Sequence, residues 1–66
     1  MESKDVGGYE LAEEVTGLGR GTLYSKVSRR EIPHVRLGRR LVRFSRTQLE
    51  RWMRANTVEP VARQAD

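Results

Sequence analysis

Eleven of the thirteen basic residues are arginines, and they are concentrated in one stretch of the chain. Residues 20–54 hold eleven bases against two acids, Glu31 and Glu50, a net of +9 within 35 residues. Residues 1–19 hold five acids and one base, and residues 55–66 carry a net of −1, so the +4 of the whole chain understates its middle. Two groups in that block suit one chemistry. Thr22, Ser25, Lys26 and Arg29 interleave short hydroxyls with long cations, and Arg36, Arg39, Arg40 and Arg43 recur around Gly38. A guanidinium is planar, forked and always charged, so it pairs two-pronged with phosphate oxygens or a guanine edge. Such a block repels itself unless it meets a polyanion. A solvated surface is the plain alternative, but solvated helices mix acids with their bases, and residues 20–30 contain no acid.

The remaining composition closes other routes. There is no cysteine, which excludes a disulfide scaffold, an all-cysteine zinc site and a thiol nucleophile. His34 is the single histidine, so no metal site is expected; it is placed beside the hairpin, near phosphate. No nucleophile–base pair, carboxylate pair at workable spacing or phosphate-cradling loop is present, so no catalysis, cofactor or small-molecule ligand is expected. The longest apolar run is two residues, which cannot span a membrane. Met1–Asp5 lacks the apolar core of an export signal, and a cytoplasmic protein is expected. Sixty-six residues make one domain with a small core, better suited to binding than to a deep catalytic cleft.

Three helices and a hairpin must position the bases. Residues 1–7 are polar and expected to fray, and Gly7-Gly8 breaks the chain before the first helix, Tyr9–Val15. There Leu11, Val15 and Leu18 share a face and Glu10, Glu13 and Glu14 lie opposite. The two glycines of Thr16-Gly17-Leu18-Gly19 suit a tight turn into a second helix, Arg20–Arg30. In that helix Leu23, Tyr24 and Val27 fall within about 100° of arc, opposite Thr22, Ser25, Lys26 and Arg29. Two short helices joined by a glycine turn form a helix-turn-helix pattern. Ile32-Pro33 ends the second helix. Apolar and basic residues then alternate on both sides of Gly38, as in a β-hairpin. A two-residue Gly38-Arg39 turn, which sets Val35 opposite Val42 on the buried face, is preferred over a longer turn that includes Arg40. The hairpin's four arginines suit a wing lying along a DNA backbone or in a minor groove. Ser45 and Gln48 form a capping box, and Phe44 and Leu49 a hydrophobic staple, at the start of a third helix that ends near Asn56. Its apolar face is Leu49, Trp52 and Met53, with Arg46–Glu50 and Glu50–Arg54 as i, i+4 pairs. Arg46, Arg51 and Arg54 read as its solvated face. The domain spans residues 8–56, and residues 57–66 are expected to be a flexible tail. Two alternatives stay open. Tyr24 either reaches a phosphate or is partly buried, and the acidic first helix either confers solubility or docks a basic surface, including that of a neighbouring copy.

This order of elements resembles the excisionase and MerR-like helix-turn-helix family, which includes phage-type excisionases and AlpA-like regulators. Leu11-Ala12-Glu13-Glu14-Val15-Thr16-Gly17-Leu18, Thr22-Leu23-Tyr24, Glu31-Ile32-Pro33, Val35-Arg36-Leu37-Gly38-Arg39-Arg40 and Leu49-Glu50-Arg51-Trp52 carry the resemblance, over about residues 9–54. Gly19 and Gly21 depart from it, standing where the family often has Ser and another polar residue. The resemblance implies a small α+β fold, a winged helix-turn-helix. Arg20, Thr22, Ser25, Lys26 and Arg29 would enter the major groove of double-stranded DNA. Arg30, Arg36, Arg39, Arg40 and Arg43 would lie on the wing or the DNA backbone. It further implies a recombination directionality factor that bends DNA, binds as side-by-side copies and contacts a phage-type integrase. A small transcription regulator on the same fold is the alternative.

Overall fold

The computed structural model describes residues 5–60. Helix α1 (Tyr9–Thr16) starts at Gly8, whose carbonyl accepts from the amides of Leu11 and Ala12 at 3.0 and 3.2 Å. It stops at Gly17, which takes φ 77° and returns its amide to Glu13 O at 2.8 Å. The Thr16 hydroxyl donates to Ala12 O and accepts from Leu18 N, which tightens the turn. Only Gly17 uses the left-handed freedom expected of both turn glycines; Gly19 is extended and N-caps helix α2 (Arg20–Ser28).

Strand β1 (Val6–Gly7) precedes α1, and strands β2 (Val35–Arg36) and β3 (Val42–Ser45) follow α2. They form an antiparallel sheet in the order β1-β3-β2. Helix α3 (Arg46–Ala55) continues directly from β3. The arrangement is the small α+β one expected, a winged helix-turn-helix, with one strand added.

That added strand overturns part of the expected fraying of residues 1–7. Val6 pairs with Ser45 and Gly7 with Phe44. Residues 1–4 lie outside the described residues. Asp5 anchors the strand: its backbone carbonyl accepts from Arg46 N at 2.6 Å, and one carboxylate oxygen accepts from Thr47 N at 2.8 Å and from the Thr47 hydroxyl at 2.7 Å. The other oxygen accepts from the Ser45 hydroxyl at 2.5 Å. The carboxylate therefore sits at the positive end of α3 and satisfies amides that the helix leaves unpaired. Gly7 is required by packing, because a Cβ there would stand 2.8 Å from the Leu11 Cβ.

The core is Ala12 from α1, Leu23 and Val27 from α2, Ile32 from the connection, Val42 and Phe44 from β3 and Leu49 from α3. Tyr9, Leu11, Val15, Leu18 and Trp52 pack around it. Leu11, Val15 and Leu18, expected to lead the first helix's buried face, flank the fully buried Ala12, whose small side chain admits β3 and the other helices closely. Ser45 caps α3 as expected, accepting from Gln48 N at 3.2 Å, and the staple residues Phe44 and Leu49 are both fully buried. The i, i+4 ion pairs expected on α3 are absent among the described residues; Arg46 instead reaches Glu14 on α1, at 3.8 Å. At the C-terminus of α3 the side chains of Asn56 and Thr57 donate to the carbonyls of Trp52 and Met53. Residues 57–60 carry no helix or strand, and residues 61–66 of the expected tail lie outside the described residues.

The hairpin register differs from the preferred one. Val35 faces Arg43, Arg36 faces Val42, and Leu37 N donates to Leu41 O at 2.8 Å, so the loop is Gly38-Arg39-Arg40. Side chains alternate with period two, so a one-residue slip turns a whole strand over. Val35, expected on the buried face, is exposed, and Arg36 shares the face of buried Val42.

Two tests follow from these elements. Gly17→Ala is expected to lower stability by about 1 kcal/mol, whereas Gly21→Ala, with no atom within 4 Å of its added Cβ, raises it by up to about 1 kcal/mol. Urea midpoints of the two variants should move in opposite directions. Asp5 is held below the ordinary aspartate range, first by the Ser45 hydroxyl and then by Thr47. Its contribution is therefore complete above the unfolded carboxyl's pKa and is lost as pH falls through the lower folded value. The thermal midpoint of Asp5→Ala should lie below that of the parent at neutral pH, and the gap should close progressively as pH drops below about 4.

Candidate nucleic-acid interface

Helix α2 buries Leu23 and Val27 and leaves Thr22, Ser25 and Arg29 exposed, with Lys26 half-buried beside them. Turning 100° per residue, these four polar positions share one stripe. Arg20 does not join them. It lies about 200° around the helix from Thr22. Its Nε donates to Glu13 Oε2 at 2.9 Å, and its guanidinium stands 5.8 Å from the centre of the Tyr9 ring. Arg20, expected with the other four, instead braces α2 against α1.

The end of α2 is closed by two reversed hydrogen bonds, Arg30 N to Val27 O at 3.0 Å and Glu31 N to Lys26 O at 2.8 Å. This closure places Arg30 at φ 59°, the only positive φ of a non-glycine among the described residues. Buried Ile32 then turns the chain toward the hairpin, and Nδ1 of His34 lies 2.8 Å from Ile32 O. With Nδ1 committed to that carbonyl, Nε2 is left for another partner.

Between the last turns of α2 and the hairpin lies an open groove of about 620 Å³. Buried Val27 and Val42 form its floor, and Arg30, Arg36, Arg39 and Arg40 line it together with His34 and Ser28. Tyr9 and Tyr24 close one end. Of the five arginines assigned to wing or backbone, Arg43 is the one that stays out. It projects from the opposite face of β3, where its guanidinium stands close to Gly8. The register found for the hairpin explains both outcomes, since it turns Arg36 inward and leaves Arg43 opposite exposed Val35.

Aromatic edges tie the groove to the core. The Tyr9 ring meets Tyr24 at 4.7 Å and Phe44 at 5.2 Å between centroids, both edge to face. Partial burial, and after it Tyr24, push the Tyr9 hydroxyl above the ordinary range, so it stays protonated and able to donate. Tyr24 itself is half exposed. Sequence reasoning did not find Tyr9 as a groove residue, because its place there depends on a contact between α1 and α2 that no local pattern announces. Ser28 was missed because its place in the groove depends on the hairpin lying against the end of α2.

The acids are distributed selectively. Glu13 pairs with Arg20, Glu31 with Lys26 at 3.7 Å and Glu14 with Arg46. Among the described residues no ion pair involves Arg29, Arg30, Arg36, Arg39 or Arg40. The groove arginines and Arg29 on the α2 stripe thus keep their charge uncompensated among the described residues, as do Arg43 on β3 and Arg51 and Arg54 on α3, whereas Lys26 on the stripe meets Glu31. Elsewhere on the molecule, the described residues hold no cluster of His, Cys, Asp or Glu fit for a metal, and no helix is long and apolar enough to cross a membrane.

Residues 10–57 match the family described as Helix-turn-helix domain, which spans α1 through α3 and the hairpin between them. No curated protein and no solved structure matches the chain.

The aromatic edge contacts should be measurable as coupling. A double-mutant cycle of Tyr9→Leu and Tyr24→Leu, read from urea unfolding, is expected to give about 0.5–1 kcal/mol of favourable interaction. Additive losses would mean that the two rings hold α1 and α2 only through separate contacts with the core.

Proposed function

The chain belongs to the helix-turn-helix domain family, and from that premise we propose that it binds double-stranded DNA through α2 and the hairpin together. The observation that carries this reading is the groove lined by Arg30, Arg36, Arg39 and Arg40, set beside an α2 stripe free of acids. Thr22, Ser25, Lys26 and Arg29 enter the major groove, where short hydroxyls allow close approach and Arg29 reads a base edge. The hairpin acts as the wing. Its arginines follow the phosphate backbone toward the neighbouring minor groove, and the sugar–phosphate strand between the two DNA grooves runs through the protein's own groove. Arg20 and Arg43 take supporting places, one bracing α2 and the other packed beside Gly8.

The biological role that fits best is that of an excisionase, a recombination directionality factor that bends DNA, lies beside further copies of itself and works with a phage-type integrase. The resemblance of the sequence to that family supports it. An excision assay in vitro with a cognate integrase separates this role from that of a small MerR- or AlpA-like transcription regulator using the same surface.

Duplex binding should weaken steeply with salt. A log–log slope of about −4 to −7 is expected if some five to eight phosphates are contacted. Binding absent at low salt, or insensitive to salt, would sink the proposal. Within the interface, Arg29→Ala should weaken binding to the specific site more than to random duplex, whereas Arg39→Ala should weaken both alike.

A further inference from the structure

The ends of α1 and α2 make an internal comparison. Both helices close through a left-handed residue. At α1 it is Gly17, at φ 77°, which adopts that region without steric cost. At α2 it is Arg30, at φ 59°. An L-residue with a Cβ is strained there, and the two reversed hydrogen bonds that Arg30 completes use backbone atoms alone, so a glycine would make them equally well. The Arg30 side chain returns little to the fold. It is exposed, and among the described residues it joins no ion pair. What it adds is a guanidinium at the groove wall, between the last turn of α2 and β2. Arg36 lines the same groove from β2, and His34, with Nδ1 already engaged, leaves Nε2 for a further partner. Ser28 and Tyr24, both with hydroxyls able to donate, line the same groove.

Resting on the reading of duplex DNA as the ligand, we propose that the strained Arg30 backbone is retained to seat one backbone phosphodiester. That phosphate is the one lying between the major groove occupied by α2 and the minor groove approached by the wing. The left-handed turn sets Arg30 where the chain leaves α2 for the hairpin, so that it lines the groove from the connection between the two walls. Strain of this kind persists where function uses it, and here it sets stability against binding at a single residue.

The experiment compares the parent chain, Arg30→Gly and Arg30→Lys by thermal unfolding and by fluorescence anisotropy on a short mixed-sequence duplex over a range of salt. Arg30→Gly should gain stability, with the thermal midpoint rising by roughly 4–8 °C for a domain of this size. Its duplex affinity should fall about five- to tenfold at low salt, and its log–log salt slope should become shallower by about 0.9, the share of one phosphate. Arg30→Lys keeps charge and strain, so it should keep both the parent slope and the parent midpoint. Gain of stability with loss of one phosphate's slope is the signature, and a purely structural residue would not produce it. An Arg30→Gly variant that binds with the parent's affinity and slope overturns the proposed seat while leaving DNA binding intact, and a midpoint that fails to rise overturns the claim of strain. A parent chain that binds no duplex at low salt overturns the functional reading itself, and the seat with it.

Discussion

The alternation of side chains along β3 is the constraint on which most of this molecule depends. β3 is the central strand, so its register is fixed on both edges, by β1 on one side and β2 on the other. Val42 and Phe44 must face the helices, since together they supply the sheet's share of the core. Arg43 and Ser45 then face outward. Once that choice is made, the three-residue loop decides what β2 offers, and it offers Arg36 inward and Val35 outward. A two-residue loop would have filled the same space with valine and removed an arginine from the groove. The arginine lining of the groove is thus a consequence of loop length acting through a period of two.

The same strand sets up α3. Ser45 is the last residue of β3 and the N-cap of the helix, so strand and helix share one residue with no intervening loop. Its hydroxyl accepts from Gln48 N and donates to Asp5, which in turn accepts from Thr47. A residue 40 positions away in sequence therefore completes the cap of α3. This links β1, β3 and α3 through one carboxylate, and it holds the sheet edge that supports the Phe44 side of the core.

The helices could be read in the sequence because their signals are local. Period 3.6 showed the Leu23 and Val27 face, Pro33 showed where α2 must have ended, and Ser45 with Gln48 and Leu49 marked the start of α3 within five residues. The sheet was only half legible. Alternation around Gly38 revealed the hairpin, but both candidate registers satisfy alternation, and what separates them is whether Val35 or Arg36 shares the face of Val42. β1 was invisible, because Val6-Gly7 is too short for any period and its partner lies at Ser45. The polar and basic stripe on α2 follows from helical geometry alone, and the structure leaves Thr22, Ser25, Lys26 and Arg29 together. The resemblance groups Arg20 with the α2 stripe and the hairpin pattern groups Arg43 with the wing, and neither reports the direction of the side chain. Arg20 belongs to α1 through Glu13, and Arg43 belongs to the outer face of β3.

The placement of the few acids matters as much as that of the many bases. Glu13, Glu14 and Glu31 each meet a base that lies off the groove or at its margin, and exposed pairs of this kind contribute little stability. Their larger effect is on the shape of the potential. Glu13 and Glu14 each offset a cation behind the groove, Arg20 on α2 and Arg46 on α3, while Glu31 meets Lys26 at the edge of the α2 stripe. Among the described residues, four of the charges left without ion-pair partners, Arg30, Arg36, Arg39 and Arg40, line a concave surface floored by two buried valines. A concave, low-dielectric wall focuses field toward its opening. The acidic N-terminal part of the sequence therefore acts on the potential of the groove from behind. It offsets two bases that lie behind the groove, Arg20 and Arg46, while Arg30, Arg36, Arg39 and Arg40 keep their charge on the concave face.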